Sequence, residues 1–465
     1  MPMWTCDFAA CQRPAVRTLG ECALCNRHLC SHHLQHPFHT CPKWEDAEAY
    51  DPASRSAEAV ELELLIKKID TSALASRASE LRGGVPCSVP TLRYDHATRS
   101  SVMGGMNYHI EVTFEDGVKW LARVRRSNAT SPRPELRDYI VQSEIATLKF
   151  LEQTTVPAPK VFDFALESTP DNVVGVGYIL MEKLPGSSLR WSIATDAQRT
   201  RVMDQLAGIF VELHKYPFDL LGSLDRPASS HVGPFARESL TDFATDGRMR
   251  AMGPFSSLEE YHRSELSLIL DLIARGELYS QRPVDAYLIH RFLADLIPQI
   301  CSLSSTRDPD GACIFYLKHA DDKGDHILVD EDFNITGVID WEWAYTAPPS
   351  RAFNSPVAFL PVGAFYRGNN DLGEDELVFA RMLKEKGRED LGSFVRYGRI
   401  QHRFAFCCGY DLEDWHGFVG LFRGFRDAVR VDPGIGWDEW KAAALHRYRG
   451  DAGLLRLMSG GETVS

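Results

Sequence analysis

The spacing of apolar residues predicts a strand-rich region between residues 90 and 186. Residues 108–114 and 118–124 alternate between apolar and polar side chains on either side of Glu115-Asp116-Gly117, which is typical of a hairpin turn. A further short strand is predicted at 91–94, and another at 177–182. These segments together predict a small antiparallel sheet.

Helical periodicity dominates the remainder of the chain. Apolar residues recur at three- and four-residue spacing and predict helices over 135–153, 196–215, 256–276 and 284–302. The same spacing over 57–81 predicts one or two amphipathic helices that pack against the catalytic domain, with a separate partner-binding helix as the alternative. Residues 42–56 are polar and acidic and are predicted to be a linker.

A second hairpin is predicted around residues 330–334. The apolar runs 327–329 and 335–339 flank this turn-forming segment. Asp321 precedes the hairpin and Asp340 follows its second strand, so one small folded unit would hold two carboxylates near each other. Paired carboxylates suit phosphoryl transfer, in which one accepts the proton of an attacking hydroxyl and the other holds Mg²⁺.

The residues around this hairpin resemble a known family. His319-Ala320-Asp321, an aliphatic strand and then Ile339-Asp340-Trp341-Glu342 are similar to the two motifs of the aminoglycoside phosphotransferases, a branch of the protein-kinase-like fold. The resemblance implies an α+β bilobal fold, with an antiparallel sheet in the N-lobe and a mostly helical C-lobe. It also implies that ATP is the phosphoryl donor, that Asp321 is the catalytic base and that Asp340 is a magnesium ligand.

One position departs from the family pattern. The family usually has Asn five residues after the catalytic Asp, whereas this chain has His326. Mg²⁺ prefers oxygen ligands, so His326 is an unusual residue for the magnesium site. Asp322 or Asp325 could supply the missing oxygen, or the site could be impaired.

The resemblance also implies a set of nucleotide-binding residues. Gly104 and Gly105 occupy the position of a loop that covers the phosphates, although a Gly-Gly pair alone is most often a turn. Arg123 is in the register of the cation that holds the phosphates, and Glu144 is its expected partner on the following helix. The backbone of Glu182 to Leu184 is expected to contact adenine. An exposed strand cation, a solvated glutamate and a simple core strand are the structural alternatives.

The first 41 residues contain six of the eleven cysteines of the chain. Eight potential metal ligands follow the spacing C-x(4)-C-x(10)-C-x(2)-C-x(4)-C-x(2)-H-x(5)-H-x-C, namely Cys6, Cys11, Cys22, Cys25, Cys30, His33, His39 and Cys41. Eight ligands are the number that two tetrahedral zinc sites need. A segment this short would depend on metal for most of its folding free energy. A disulfide cluster, the alternative, would require an oxidising compartment.

This pattern is similar to the AN1-type zinc finger. The resemblance implies two interleaved sites, one formed by Cys6, Cys11, Cys30 and His33 and the other by Cys22, Cys25, His39 and Cys41. His32 is adjacent to His33 and could replace it as the ligand. A finger of this kind could also bind a protein partner.

Charge and composition exclude some classes of protein. The formal net charge of −13 disfavours nucleic-acid binding, because phosphate contacts need clustered Lys and Arg. We find no apolar run of membrane-spanning length, and the N-terminus lacks the pattern of a signal peptide. The expected location is therefore the cytoplasm, with the nucleus as the alternative.

We therefore expect four regions. These are a zinc finger at 1–45, a linker with amphipathic helices at 46–89, a kinase-like N-lobe at 90–186 and a C-lobe at 187–460 that contains the catalytic loop and the acceptor region. The predicted activity is transfer of the γ-phosphoryl group of ATP to a hydroxyl of a small molecule. The alternative is a catalytically impaired pseudokinase scaffold whose finger binds a protein.

Overall fold

The computed structural model describes residues 1–97, 99–304, 313–409 and 414–459. The chain begins with a small unit in which β1 (Glu21–Cys22) pairs antiparallel with β2 (Arg27–His28). Its interior consists of little more than Cys6, Leu29 and Cys30. So small a core is consistent with a unit that needs bound metal to fold.

Two helices, α1 (Ala47–Ile66) and α2 (Thr71–Leu81), follow this unit. The prediction that 42–56 is wholly a linker is wrong, because the Asp46 carboxylate accepts a hydrogen bond from the Ala49 N–H and starts α1 early. Apolar residues of both helices, among them Leu62 and Leu74, join the same core cluster as the neighbouring sheet. Their predicted packing against the catalytic domain is confirmed.

The N-lobe is a five-stranded antiparallel sheet in the order β3-β4-β5-β7-β6 with one long helix. Its elements are β3 (Cys87–Ser88), α3 (Arg99–Val102), β4 (Asn107–Phe114), β5 (Lys119–Arg125), α4 (Pro134–Leu151), β6 (Val161–Ala165) and β7 (Tyr178–Glu182). The hairpin of β4 and β5 is confirmed, with Ile110 opposite Ala122. The predicted strand at 91–94 is wrong. The edge strand is β3 instead, and it ends before Pro90, which has no N–H to donate.

The C-lobe is mostly helical. Its elements are β8 (Ser187–Ser188), α5 (Asp196–Leu213), β9 (Ser223–Leu224), β10 (Val232–Gly233), β11 (Thr241–Phe243), β12 (Met249–Ala251), α6 (Leu258–Ala274), α7 (Pro283–Asp295), α8 (Ile297–Ser304), β13 (Tyr316–Lys318), β14 (Ile327–Val329), β15 (Ile335–Val338), β16 (Tyr345–Ala347), α9 (Pro349–Ala352), α10 (Val362–Tyr366), α11 (Glu374–Glu385), α12 (Glu389–Arg396), α13 (Arg399–Gly409), α14 (Trp415–Val429), α15 (Trp437–Arg447) and α16 (Ala452–Ser459). The single helix predicted over 284–302 is wrong. It is divided into α7 and α8, because Pro298 cannot donate to a carbonyl one turn earlier.

The predicted second hairpin is confirmed, since β14 and β15 pair antiparallel. It is joined directly to the segment that connects the two lobes, because β8 pairs with β14. Gly186, just before β8, has a φ of +104°, and a Cβ there would lie 2.4 Å from Thr336 Oγ1. The connection between the lobes is therefore fixed against the hairpin that carries Asp340. The predicted α+β bilobal architecture is confirmed.

The N-terminal unit is docked on both lobes. Arg17, only 8% exposed, donates hydrogen bonds to the Glu277 carboxylate at 3.2 Å and to the Thr241 carbonyl oxygen at 2.9 Å. Met3 packs in one apolar cluster with Leu136 and Ile140, both on α4. This unit thus connects the helix of the N-lobe to the C-lobe. In the described parts of the chain, no helix has both the length and the apolar character needed to cross a bilayer.

Candidate active site

The second hairpin places Asp340 at the junction of the lobes. Pairing continues past β15, because the Ile339 N–H donates to the His326 carbonyl oxygen at 2.9 Å. Asp340 then adopts a φ of +64°, in the left-handed region that costs a non-glycine residue about 1–3 kcal/mol. Trp343 has a φ of +60°. Strain of this kind concentrates at functional sites, where the surrounding structure enforces it.

Arg123 lies at the centre of a buried charge cluster. Its guanidinium donates to Asp340 Oδ1 at 2.8 Å, to Glu342 Oε2 at 2.9 Å and to the Glu144 carboxylate. The expected ion pair between β5 and α4 is therefore present. Burial raises the pKa of Glu144 to about 8 against the opposing effect of Arg123, whose own pKa stays above its usual value. The cluster ties the sheet, α4 and the Asp340 segment together.

Glu342 and Arg125 belong to this cluster, although no role was predicted for them. The Glu342 side chain is 3% exposed and pairs with both Arg123 and Arg125. Arg125 lies two residues after Arg123 on β5, so the two side chains are on the same face of the sheet. The alternation R-x-R in the strand and the second acidic residue of the motif at 339–342 were the available sequence signals.

The catalytic loop is held against the hairpin by His319. The Asp321 N–H donates to His319 Nδ1 at 3.2 Å, and His319 Nε2 is 2.9 Å from the Ile339 carbonyl oxygen. The Asp321 carboxylate is 40% exposed and lies 2.9 Å from Lys323 Nζ. The predicted base is thus presented to solvent from a well-anchored backbone.

Lys323 pairs with Asp321 and interacts with the charges of two further carboxylates. The hydrogen bond that Lys323 donates to Asp321 and the charges of Asp325 and Asp340 raise the pKa of Lys323 despite partial burial. Carboxylate oxygens, such as those of Asp321, Asp325 and Asp340, are the ligands that Mg²⁺ prefers. The chemistry of these residues therefore fits a divalent metal.

His326 is a buried packing residue in this geometry. It is 8% exposed, and its ring stacks on His319 with the ring centroids 4.2 Å apart. Burial, helped by His319, lowers the pKa of His326 to about 3, so the imidazole is neutral. Nδ1 accepts a hydrogen bond from the Gly324 N–H at 3.4 Å, which assigns the proton to Nε2. The Nδ1 lone pair is therefore occupied by this hydrogen bond.

The two neighbouring carboxylates differ in availability. Asp322 pairs with Lys318 and accepts a hydrogen bond from the Val357 N–H at 3.2 Å. Although burial opposes it, the Lys318 charge keeps the pKa of Asp322 below its usual value. Asp325 is exposed on the loop. Asp325 is therefore the better placed of the two to supply an oxygen ligand.

The other predicted nucleotide contacts are only partly available. The Gly104 N–H donates to the Asn107 carbonyl oxygen at 3.0 Å, and Arg126 holds the carbonyls of Gly104 and Gly105 at 3.4 and 3.2 Å. Both glycines are exposed, and a Cβ on either would meet no protein atom within 4 Å. The loop is thus fixed by its carbonyls and leaves the Gly105 N–H as the candidate phosphate contact.

The segment after β7 carries a backbone donor at Leu184 that no described residue engages. The Glu182 N–H donates to the Lys160 carbonyl oxygen at 2.8 Å within the sheet. No residue in the described ranges accepts a hydrogen bond from the Leu184 N–H. The Leu184 side chain packs close to Gly337, where an added Cβ would lie 2.6 Å from Leu184 Cδ1. Of the two predicted adenine contacts, Leu184 is the one with a free N–H.

The N-terminal unit brings its eight candidate ligands into two groups. Within each group the ligand atoms lie within 4.8 Å of one another; the groups are Cys6, Cys11, Cys30 and His33, and Cys22, Cys25, His39 and Cys41. The Cys11 and Cys30 sulfurs are 4.0 Å apart, close to the roughly 3.8 Å expected between thiolates of a tetrahedral zinc site. All eleven cysteines are free of disulfides. The residues therefore fit zinc, and His33 rather than His32 lies in the first group.

A small antiparallel lobe with a strand–helix Arg–Glu pair, followed by a helical lobe with a carboxylate-bearing hairpin, defines a protein-kinase-like fold. Residues 107–351 match the phosphotransferase enzyme family (APH), and the chain belongs to that family. The N-terminal Cys/His-rich unit lies outside the matched residues.

The chain is similar to proteins of fungal gene clusters. It is 33% identical over 165 residues to a subtelomeric hrmA-associated cluster protein of Aspergillus fumigatus, covering 34% of this chain and 29% of that protein. It is 27% identical over 257 residues to the clavilactone A biosynthesis cluster protein Y of Ampulloclitocybe clavipes, covering 54% and 61% of the two chains. The chain therefore matches less than two thirds of the length of each relative.

Solved structures with a similar fold are more distant in sequence. One, described as an aminoglycoside phosphotransferase from Ralstonia eutropha, is 14% identical with a TM-score of 0.44, covering 78% of this chain and 99% of that one. Another, described as a fructosamine-3-kinase from Thermobifida fusca, is 13% identical with a TM-score of 0.43, covering 78% and 100%.

Proposed function

We propose that the protein transfers the γ-phosphoryl group of ATP to a hydroxyl of a small molecule. The observation that carries this proposal is the position of Asp340, 2.8 Å from the buried Arg123, on the segment to which His319 anchors the loop of Asp321. Membership of the phosphotransferase family supports the reaction class.

The roles follow from the geometry of each side chain. Asp321, which is exposed and anchored through its backbone, accepts the proton of the attacking hydroxyl. Asp340 and Asp325 would hold Mg²⁺, which supplies charge neutralisation of the phosphates when bound. Arg123, fixed by Glu144, supplies positive charge at the phosphate end of the cleft.

His326 does not decide between an active and an inactive enzyme. Its place in the loop is that of a packing residue, and Asp325 offers the oxygen that the usual Asn would supply. A pseudokinase scaffold is the second candidate. It is favoured by the engagement of the Gly104 N–H and by the ion pair between Asp340 and Arg123.

The remaining assignments are proposals of the same kind. The N-terminal unit is an AN1-type finger that binds two zinc ions through the two ligand groups. A natural product with a free hydroxyl is a reasonable acceptor class, since one relative is named for a biosynthesis cluster. The cytoplasm or nucleus is the proposed location, and the finger could also dock a protein partner there.

The test is ATP turnover by zinc-loaded protein with Mg²⁺ and a pool of hydroxyl-bearing metabolites and aminoglycosides. Asp321→Asn should reduce transfer by about 10²- to 10⁴-fold, while Mg²⁺-dependent ATP binding, measured by calorimetry, is retained. Glu331→Gln, at an exposed carboxylate in the turn of the same hairpin, is the matched control and should leave transfer unchanged. Absence of both transfer and Mg²⁺-dependent ATP binding in the native protein would exclude the enzyme and favour the scaffold.

A further inference from the structure

A cavity of about 590 Å³ lies where the finger meets the two lobes. Leu19 of the finger, Met106 of the N-lobe, and Leu278 and Trp343 of the C-lobe contribute to its walls. The finger therefore does more than dock on the kinase-like domain, because it closes one side of this space. Cavities of this volume are typical of sites for small organic molecules.

Two wall residues of the cavity belong to segments that carry predicted phosphate-site residues. Met106 directly follows the Gly104-Gly105 pair, and Trp343 is three residues after Asp340. The Arg125 guanidinium is 5.8 Å from the Trp343 ring and pairs with Glu342, which in turn pairs with Arg123. Trp343 therefore stands between the cavity and the buried charge cluster, whose Arg123, Arg125 and Glu342 line a separate, neighbouring space.

The charges of the wall disfavour a polycation. Arg17, Arg237 and Arg282 line the cavity with two carboxyls, Glu21 and Glu238. Burial raises the pKa of Glu238 above its usual value. A ligand with several ammonium groups would therefore meet more cations than anions here.

One of these arginines forms no salt bridge with a described residue. Arg17 pairs with Glu277 and Asp242, and Arg282 lies 3.7 Å from Asp285. Among the residues that the structure describes, no carboxylate lies within 4 Å of the Arg237 guanidinium, which instead lies 5.1 Å from the Tyr345 ring. Arg237 is only partly exposed, so its charge is incompletely solvated. Such a cation at an otherwise apolar wall favours an acidic oxygen as its partner.

We propose that this cavity is the acceptor site and that it takes a molecule with a mostly apolar skeleton and one acidic oxygen group, bound by Arg237. The assignment of the cavity as an acceptor site rests on the proposed phosphotransferase function. Binding of a ligand to the cavity can be tested without turnover. It also assigns the zinc finger a direct part in substrate selection, since Leu19 forms part of the wall.

The binding test uses 1-anilinonaphthalene-8-sulfonate, an apolar anion whose fluorescence rises in apolar sites, with the full-length, zinc-loaded protein. We expect saturable binding with one site per chain. Arg237→Leu should weaken it at least tenfold and Arg237→Lys should largely restore it, whereas the neutral dye Nile red should bind both variants equally. Leu278→Trp, which fills the cavity, should weaken both dyes. Arg250→Leu, at an exposed arginine in the neighbouring β12, is the control for loss of one surface charge.

Unchanged anilinonaphthalene sulfonate affinity in Arg237→Leu, or no saturable binding to the native protein, would overturn the proposal. Circular dichroism and melting temperatures of each variant separate a binding effect from partial unfolding.

A turnover test then compares 12-hydroxydodecanoate with kanamycin. Transfer to kanamycin alone, unaffected by Arg237→Leu, would also overturn the assignment. Failure of Mg²⁺-dependent ATP binding would instead count against the phosphotransferase function and leave the dye result standing.

Discussion

Replacing Arg17 with alanine should detach the finger from the kinase-like domain. Arg17 is the main polar anchor of the finger, with its carboxylate partner Glu277 only 1% exposed. Removing one partner of a buried ion pair typically costs about 3–5 kcal/mol. Here Glu277 keeps Arg275 at 2.9 Å, so its charge is not left uncompensated.

We therefore expect a cost of about 2–3 kcal/mol, which is a shift of roughly 30- to 140-fold from the docked to the undocked finger. The consequence should reach α4, because Met3 of the finger packs on Leu136 and Ile140. Ile140 is one helical turn before Glu144, the partner of Arg123. A less restrained α4 should exchange its amide hydrogens faster and should weaken the affinity for Mg²⁺ and ADP.

Hydrogen exchange measured by mass spectrometry on residues 1–41 and on α4 is the direct assay, with calorimetric titration of ADP and zinc content determined on the same samples. Arg13→Ala removes an exposed arginine of the same finger and is the matched control. One result in Arg17→Ala would contradict the inferred coupling between finger docking and α4. In that result the finger keeps its zinc and exchanges its amide hydrogens faster, while the exchange of α4 and the ADP affinity match those of the native protein.

Three further outcomes are expected. Elemental analysis should find two zinc ions per native chain and one in Cys22→Ser, whereas two ions in the variant would contradict the grouping of the ligands. Burial lowers the pKa of His402 to about 3, below its unfolded value of about 6.5. The neutral His402 ring therefore contributes its full stabilisation above a pH of about 6.5, and this contribution is lost as the pH falls below it. The free energy of unfolding, measured with urea, should fall between pH 7 and pH 5 by about 2 kcal/mol less in His402→Gln than in the native protein. Gly186→Ala should cost more than 1 kcal/mol, because its Cβ would lie 2.8 Å from the Val329 carbonyl oxygen. Gly387→Ala, where φ is +78° but the space is open, should cost less.

Local pattern was sufficient for the elements that build the site. The alternation in β4 and β5, the helical spacing of α4 and the turn between β14 and β15 all predicted their structures, because these depend on backbone geometry and on which side chains share a face. The motif around Asp321 and the spacing of the cysteines were informative for the same reason. The motif and the cysteine spacing each involve residues that are close in sequence, or they belong to patterns whose geometry is known.

Tertiary structure decided what no local pattern encodes. The strand at 91–94 and the unbroken helix at 284–302 failed where a proline altered the hydrogen bonds of a plausible pattern. Glu342 became a central residue only because folding brings it to Arg125, more than 200 positions away. The docking of Arg17 on Glu277 likewise joins segments 260 residues apart. Burial of a charge is stable only with a partner, and the identity of that partner depends on how distant surfaces pack rather than on neighbouring residues.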